Sequence, residues 1–190
     1  MPSLAEIVNQ VLTEFGRLPI PDYTQDSSGI LIANRVMTLL PELLLRTDWN
    51  FAIKYVTDDS PLSVNISPEY LYNYQLPPDY DRMDRVSWFS INFGLVYRII
   101  DGVIMCNVRP IQYYYVVNNI DLNVMTPVFY RALVLYVAAT TCSAITNDEK
   151  LRVILEKLYQ QKMVDAIRQN DMDRMVVSTP YNDFGRPTYI

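Results

Sequence analysis

The sequence predicts an α+β fold that is mainly helical: a four-helix bundle with an inserted small antiparallel β-sheet and an extended C-terminal tail. Three observations predict it. Apolar residues recur at helical spacing at both ends of the chain, over about 4–16 and 28–47 and again over 128–145 and 149–172. Between them, about 50–118 reads as short alternating runs punctuated by Pro, Gly and Asp, the pattern of strands and turns. After Asp173 the periodicity stops, and Pro180, Gly185 and Pro187 interrupt the last stretch of chain. The expected organisation is one domain over 1–172, with the β-rich insertion inside it, and a tail over 173–190.

The first helix is marked by Leu4, Ile7, Val8, Val11, Leu12 and Phe15 on one face. Ser3 with Glu6 three residues on forms a capping-box pattern, and Gly16, Pro19 and Pro21 end the helix. Asp22–Gly29 reads as a polar loop. The second helix presents Ile32, Val36, Leu39, Leu40, Leu43 and Leu44. Pro41 stands inside it and is expected to bend or divide it, because its ring crowds the preceding turn. Phe51, Ile53 and Tyr55 alternate with Ala52, Lys54 and Val56 as a first strand. Tyr70–Leu76, Val86–Phe93, Val96–Ile100, Val103–Asn107 and Ile111–Val117 read as further strands of a single sheet of five or six. Asp101-Gly102 is the strongest hairpin signal, since a type I′ turn needs positive φ at both central residues. Pro127 opens the third helix. Val128–Ile145 is apolar nearly all round and is short for a membrane span. It carries Arg131, which is costly in a bilayer, so it reads as a core helix. Asp148 and Glu149 place acids at the start of the fourth helix, where its dipole favours them.

Composition narrows function. The 190 residues are 50% apolar and only 19% charged, with fifteen tyrosines. Low charge with many aromatics fits a surface occupied by neighbours. A net charge of −5 without basic clusters disfavours tight nucleic-acid binding. Met1-Pro-Ser-Leu-Ala-Glu6 lacks the basic and apolar regions of a signal peptide. Cys106 and Cys142 belong to no CxxC pair and are expected to be buried free thiols, in keeping with synthesis in a reducing cytoplasm.

The chemistry-bearing residues are few. Histidine is absent, which removes the commonest general base and metal ligand. None of the five glycines forms a phosphate-binding loop. Asp79, Asp81 and Asp84, with Glu69, are the one carboxylate group that a glycoside hydrolase could use. Asp81, Arg82, Asp84 and Arg85 alternate in sign, however, and read better as a solvated, locally paired loop. That cluster also lacks the glycine and terminal glutamate of a calcium-binding loop. No catalytic, metal-binding or cofactor-binding residue is assigned, no cofactor is expected, and the chain is not expected to be an enzyme. Tyr70–Trp88, with Pro77-Pro78 at its centre, reads as a positioning and contact segment. Tyr72, Tyr74, Tyr80, Tyr113 and Tyr115 are the candidate contacts to a neighbour. Arg168 and Arg174 on the last helix, with Tyr181, Phe184 and Tyr189 in the tail, are candidate contacts to a larger partner.

The order of several motifs resembles the head-to-tail adaptors of short-tailed bacteriophages, the tail tubular protein A type. More loosely, the chain is similar to the wider class of phage head-completion connectors. The resemblance runs through Leu4–Phe15 with Gly16-Arg-Leu-Pro-Ile-Pro21, Arg46-Thr-Asp-Trp-Asn-Phe51 and Tyr74-Gln-Leu-Pro-Pro-Asp79 with Arg82 and Val86. It continues through Asp101-Gly102 and Pro127-Val-Phe-Tyr-Arg-Ala132, and ends on the polar helix after Thr146. It implies a helical bundle with a β-rich insertion, assembled as a homo-oligomeric ring, usually twelve-fold, beneath the portal. The tail nozzle or other tail proteins attach below, and DNA passes through the lumen without sequence-specific binding. In such proteins the C-terminal segment reaches the portal protein; here that is 173–190. The implied location is the virion neck, with synthesis in the bacterial cytoplasm and no membrane association. The long, tyrosine-rich β region departs from the pattern, and no residues match the lytic activity that some relatives carry. Two other readings stand beside this one: a carbohydrate-active hydrolase with a carboxylate pair, and a protein-binding module outside phages.

Overall fold

The computed structural model describes residues 3–64, 66–86, 96–118 and 120–178. Within them the chain is a mixed fold of four helices and two small antiparallel sheets. It divides into two compact units: 1–51 with 121–190, and 52–120.

The first unit holds the helices α1 (Leu4–Glu14), α2 (Ser27–Arg46), α3 (Pro127–Thr146) and α4 (Glu149–Ser178). Ser3 caps α1, its hydroxyl accepting the Glu6 N–H at 3.2 Å, as the capping-box pattern predicts. Gly16 follows with φ +69°, the left-handed geometry that ends a helix. Asn9 fixes the chain after that turn: its amide bonds both the N–H and the C=O of Ile20, at 2.8 and 3.1 Å. The expected polar loop is shorter than the sequence suggests, because Asp22 caps a 3₁₀ turn over Tyr23–Gln25 and Asp26 already caps α2. Gly29 lies against this turn so closely that a Cβ would stand 2.7 Å from the Tyr23 carbonyl oxygen.

Pro41 does not divide α2, which is continuous from Ser27 to Arg46. The ring sits on the exposed side, beside Met37, where solvent can reach the carbonyl that loses its helical donor. The opposite face buries Ile32, Val36, Leu39, Leu43 and Leu44. Helix α3 is the centre of the unit and packs on α1, α2 and α4. Thr126 caps it, Pro127 takes its first turn, and Asn147 closes it at φ +55°. Phe129, Leu133, Val134, Leu135, Val137 and Ala138 are all buried, on every side of the cylinder. Both α2 and α3 are long and apolar enough to cross a bilayer, and both put apolar surface into this core. Trp49 is buried against Phe129, ring centroids 4.7 Å apart, and its indole N–H reaches the Leu43 carbonyl at 3.0 Å.

Helix α4 corrects the expected start of the tail. It runs six residues past Met172 to Ser178, because 173–178 contains no Gly or Pro and Pro180 is the first breaker. The remaining tail, with Tyr181, Phe184 and Tyr189, lies outside the described residues.

The second unit holds β1 (Ile53–Asp58), β2 (Tyr72–Gln75), β3 (Tyr80–Val86), β4 (Tyr97–Ile100), β5 (Val103–Cys106) and β6 (Ile111–Val117). They form two three-stranded sheets, β1-β6-β3 and β2-β5-β4, rather than the single sheet expected. The turn Pro77-Pro78 lies between β2 and β3, which belong to different sheets. The β4–β5 hairpin turns at Asp101 and Gly102 with φ +49° and +75°, as the sequence requires.

Strand β3 replaces the expected charged loop. Two register shifts, at Tyr80/Arg82 and Met83/Arg85, stretch its period from two to three. Tyr80, Met83 and Val86 therefore stand opposite Val117, Tyr115 and Tyr113, while Arg82 and Arg85 stand opposite Val116 and Tyr114. The strand reading over Val86–Phe93 falls outside the described residues beyond Val86.

Candidate functional site

Charge and tyrosine meet most densely in the second unit, where the chain leaves Pro77-Pro78 and enters β3. Asp79 accepts from Lys54 Nζ of β1 at 2.6 Å and from the Tyr115 hydroxyl of β6 at 2.9 Å. Its own carbonyl takes the Asn118 N–H at 2.9 Å. Tyr80 stacks on Tyr115, centroids 5.8 Å apart. Burial raises the Asp79 pKa, but the Lys54 and Tyr115 hydrogen bonds and the Lys54 charge outweigh it, and the carboxyl ends below its ordinary 3.8. The same burial, with the bond to Asp79, pushes the Tyr115 phenol up.

The other two acids of the cluster are also matched to cations. Asp81 pairs with Arg82 at 2.8 Å, and the nearly buried Asp84 faces Arg85 at 3.6 Å. A glycoside hydrolase needs one carboxyl held protonated near neutrality. Asp79 is shifted the opposite way, and each of the three acids stands beside a cation. Glu69 is exposed beside Ser67, whose hydroxyl accepts its N–H. No group of three or more Cys, Asp or Glu side chains suited to a metal occurs among the described residues.

The five tyrosines expected as contacts divide. Tyr74, Tyr113 and Tyr115 are buried inside the second unit, so the expectation that they face a neighbour fails. The reason is register. Positions 113 and 115 share one face of β6, and Tyr74 donates its hydroxyl inward to the Val108 carbonyl at 3.2 Å. Burial pushes the Tyr113 phenol up to about 12, and its hydroxyl meets no hydrogen-bond partner among the described residues. Tyr72 and Tyr80 are half-buried. A second aromatic row, with Tyr55 exposed and Tyr114 half-buried, is one the sequence did not single out. Tyr55, Tyr114 and Arg85 lie side by side on the face of β1, β6 and β3 opposite Tyr113 and Tyr115. Tyr55 and Tyr114 are 4.8 Å apart, and the Arg85 guanidinium stands 4.3 Å over Tyr114. Period-two alternation of Tyr113, Tyr114 and Tyr115 was the available signal, but three consecutive tyrosines do not say which of them point inward.

On the first unit, Arg168 is exposed and Arg174 half-buried near the end of α4. Another cation is more built in: Arg46 donates to the Tyr159 hydroxyl at 3.3 Å and pairs with Glu42, with Tyr136 and Tyr159 stacked 4.4 Å apart beside it. The helices also expose apolar surface. Ile30, Met37, Pro41 and Leu45 form an uncharged stripe on the exposed face of α2, with Met37 66% and Leu45 59% exposed. Ile154, Leu158 and Met172 add exposed apolar side chains on α4.

A scan against protein-family models finds no match to this chain, and a search of curated proteins finds none either.

Proposed function

We propose that this chain is a structural head-to-tail adaptor of a bacteriophage virion. Its four helices act as a bundle, and copies join side by side in a ring, twelve-fold in the usual case. That ring links the portal protein to the tail nozzle and forms part of the channel through which DNA leaves. The order of motifs from Leu4 to the polar last helix supports the family reading. The observation that carries the assembly reading is the uncharged stripe Ile30–Met37–Pro41–Leu45. Apolar surface on the outer face of a helix whose inner face is already packed calls for a neighbour. A closed ring supplies one through a heterologous contact. The acidic balance suits a conduit, since negative walls do not hold phosphate.

Portal contact is assigned to Arg168 and Arg174 and to the segment after Ser178, with Tyr181, Phe184 and Tyr189. In the second unit Tyr72 and Tyr80, which are not fully buried, are assigned as contacts to a neighbour or to the nozzle. The test is reconstitution with the portal protein, imaged by electron microscopy. The chain is expected to form a ring on the portal, and Met37→Glu with Leu45→Glu should leave it folded but unassembled. A chain that never binds the portal would overturn the reading. Portal binding undiminished after removal of 179–190 would overturn the role given to the tail.

A further inference from the structure

We infer that the outer edge of β1 pairs with β1 of a second copy, joining two sheets into one six-stranded antiparallel sheet about a two-fold axis. This inference does not rest on the adaptor reading. It starts from a contrast between the two edges of one sheet. The β3 edge is blunted: two bulges break its register, and Asp81, Arg82, Asp84 and Arg85 line it. Bulges and charges are devices that keep a sheet edge from recruiting another strand. The β1 edge has no bulge, and its two charges, Lys54 and Asp58, are opposite in sign and stand two residues either side of Val56. It pairs with β6 over six consecutive residues without a shift, from Ile53 opposite Val116 to Asp58 opposite Ile111. It contains no proline, and among the described residues β6 is its sole strand partner. Lys54, Tyr55 and Thr57 on it are exposed.

A regular open edge accepts an extended strand through its main-chain groups, and side chains choose which strand. Here the side chains select the same strand from another copy. Antiparallel pairing centred on Val56 sets Lys54 opposite Asp58 of the partner subunit, Tyr55 opposite Thr57 of the partner subunit, and Val56 opposite its own copy. Symmetry repeats the first two pairs. Opposite charges, an aromatic beside a β-branched residue and a β-branched self-pair are all favourable cross-strand combinations. Lys54 keeps its bond to Asp79 and is still half-exposed, so it has N–H groups left to donate. Asp58 accepts the Ser60 N–H on Oδ1 at 2.8 Å, and among the described residues no hydrogen bond is made to its Oδ2. The contact is isologous and closes on itself at two copies.

Sedimentation velocity over a concentration series, with single-cysteine cross-linking on the full chain, tests this. Wild type should show a concentration-dependent dimer. Val56→Lys puts like charges face to face on the axis and should raise the dimer dissociation constant about tenfold or more. Asp58→Lys, on the exposed edge, should act the same way if Val56→Lys proves unstable, and Lys54→Glu combined with Asp58→Lys should restore pairing. Under mild oxidation Val56→Cys should give a disulfide-linked dimer, because directly opposed residues have Cα atoms about 4.5–5.5 Å apart. Lys54→Cys should not link, because it stands four residues, about 13 Å, from its own copy. A chain that stays monomeric throughout, or a larger assembly that Val56→Lys and Asp58→Lys leave intact, overturns the pairing. So does Lys54→Cys linking as readily as Val56→Cys.

Discussion

Removing one amide, that of Asn170, should loosen the first unit more than removing most of its exposed charges. Asn170 lies on α4 in line with Leu155, Tyr159 and Ala166, and is 5% exposed among these apolar neighbours. Its Oδ1 accepts the Asn50 N–H at 2.8 Å and its Nδ2 donates to the Asp48 carbonyl at 3.1 Å. Asn50 returns a bond from its own side chain to the Asn170 carbonyl at 2.8 Å. These bonds tie α4 to the chain leaving α2, on either side of Trp49. Asn170→Ala strands one backbone donor and one acceptor. At about 1–3 kcal/mol for each buried group left unsatisfied, and with the site only part-buried, the loss should be about 2–4 kcal/mol. At roughly 2–4 °C per kcal/mol for a chain of this size, the melting temperature should fall by about 4–16 °C. Urea unfolding followed by Trp49 fluorescence, in a Trp88→Phe background, reads the effect beside the site. Asn170→Asp separates the two bonds. It keeps the acceptor for Asn50 but sets a carboxylate oxygen against the Asp48 carbonyl. It should be no more stable than Asn170→Ala at pH 7, and should recover in acid, where a protonated carboxyl can donate. If Asn170→Ala lies within about 0.5 kcal/mol of wild type, the level expected of an ordinary surface change, the argument is wrong. An Asn170→Asp stability that ignores pH is equally damaging.

Three further outcomes are expected of the same molecule. Asp79 is held below its ordinary 3.8, so its contribution is complete above the unfolded-state value and is lost as pH falls through the lower folded one. Asp79→Asn should therefore cost about 1 kcal/mol at pH 7, discounted for the exposure of Lys54, and the difference from wild type should shrink as pH falls below 3.8 in acid-unfolding curves. Gly29→Ala should destabilise by about 1–3 kcal/mol although alanine favours a helix, because its Cβ would meet Tyr23 backbone and Ile20 at under 3 Å; thermal melts would expose a neutral result. Burial raises the phenols of Tyr113 and Tyr130 to about 12 and those of Tyr74 and Tyr115 higher still, so the stability they contribute is intact below pH 10 and is lost as pH climbs through the folded values. Absorbance at 295 nm should show these four ionising only at high pH, together with loss of structure.

What the sequence made legible is what depends on local rules. The Ser3 cap, the Gly16 stop, the Asp101-Gly102 turn, the Pro127 start and the buried character of α3 each come from a few adjacent residues. What it concealed depends on non-local pairing. Bulges give β3 a period of three, so its inward residues Tyr80, Met83 and Val86 mimic no strand pattern and its charges look like a loop. The split into two sheets is likewise a matter of which strand finds which, and no single strand carries that information. Asn170 was discoverable, as a polar residue at a position where the three- and four-residue spacing from Leu155, Tyr159 and Ala166 demands an apolar one. Read as a core position rather than as part of a polar helix, it would have announced a buried hydrogen-bond partner.

The tyrosines show why composition alone is a poor guide to an interface. Fifteen of them with little charge argue for an occupied surface. Yet Tyr74, Tyr113 and Tyr115 fill the interior of the second unit, and Tyr136 and Tyr159 stack within the first. A unit of about seventy residues has little core volume, and large rigid rings fill it efficiently. Once those rings are assigned to packing, the case for neighbours passes to side chains that serve no internal purpose. On the helices these are Ile30, Met37 and Leu45; on the sheet they are the main-chain groups of the unbulged β1 edge. The two surfaces differ in kind. A helical stripe pairs with whatever apolar face a ring presents, whereas a strand edge is satisfied by another extended strand. Glutamates on α2 and lysines on β1 therefore interrogate separate contacts, and neither substitution disturbs the packed face behind the other.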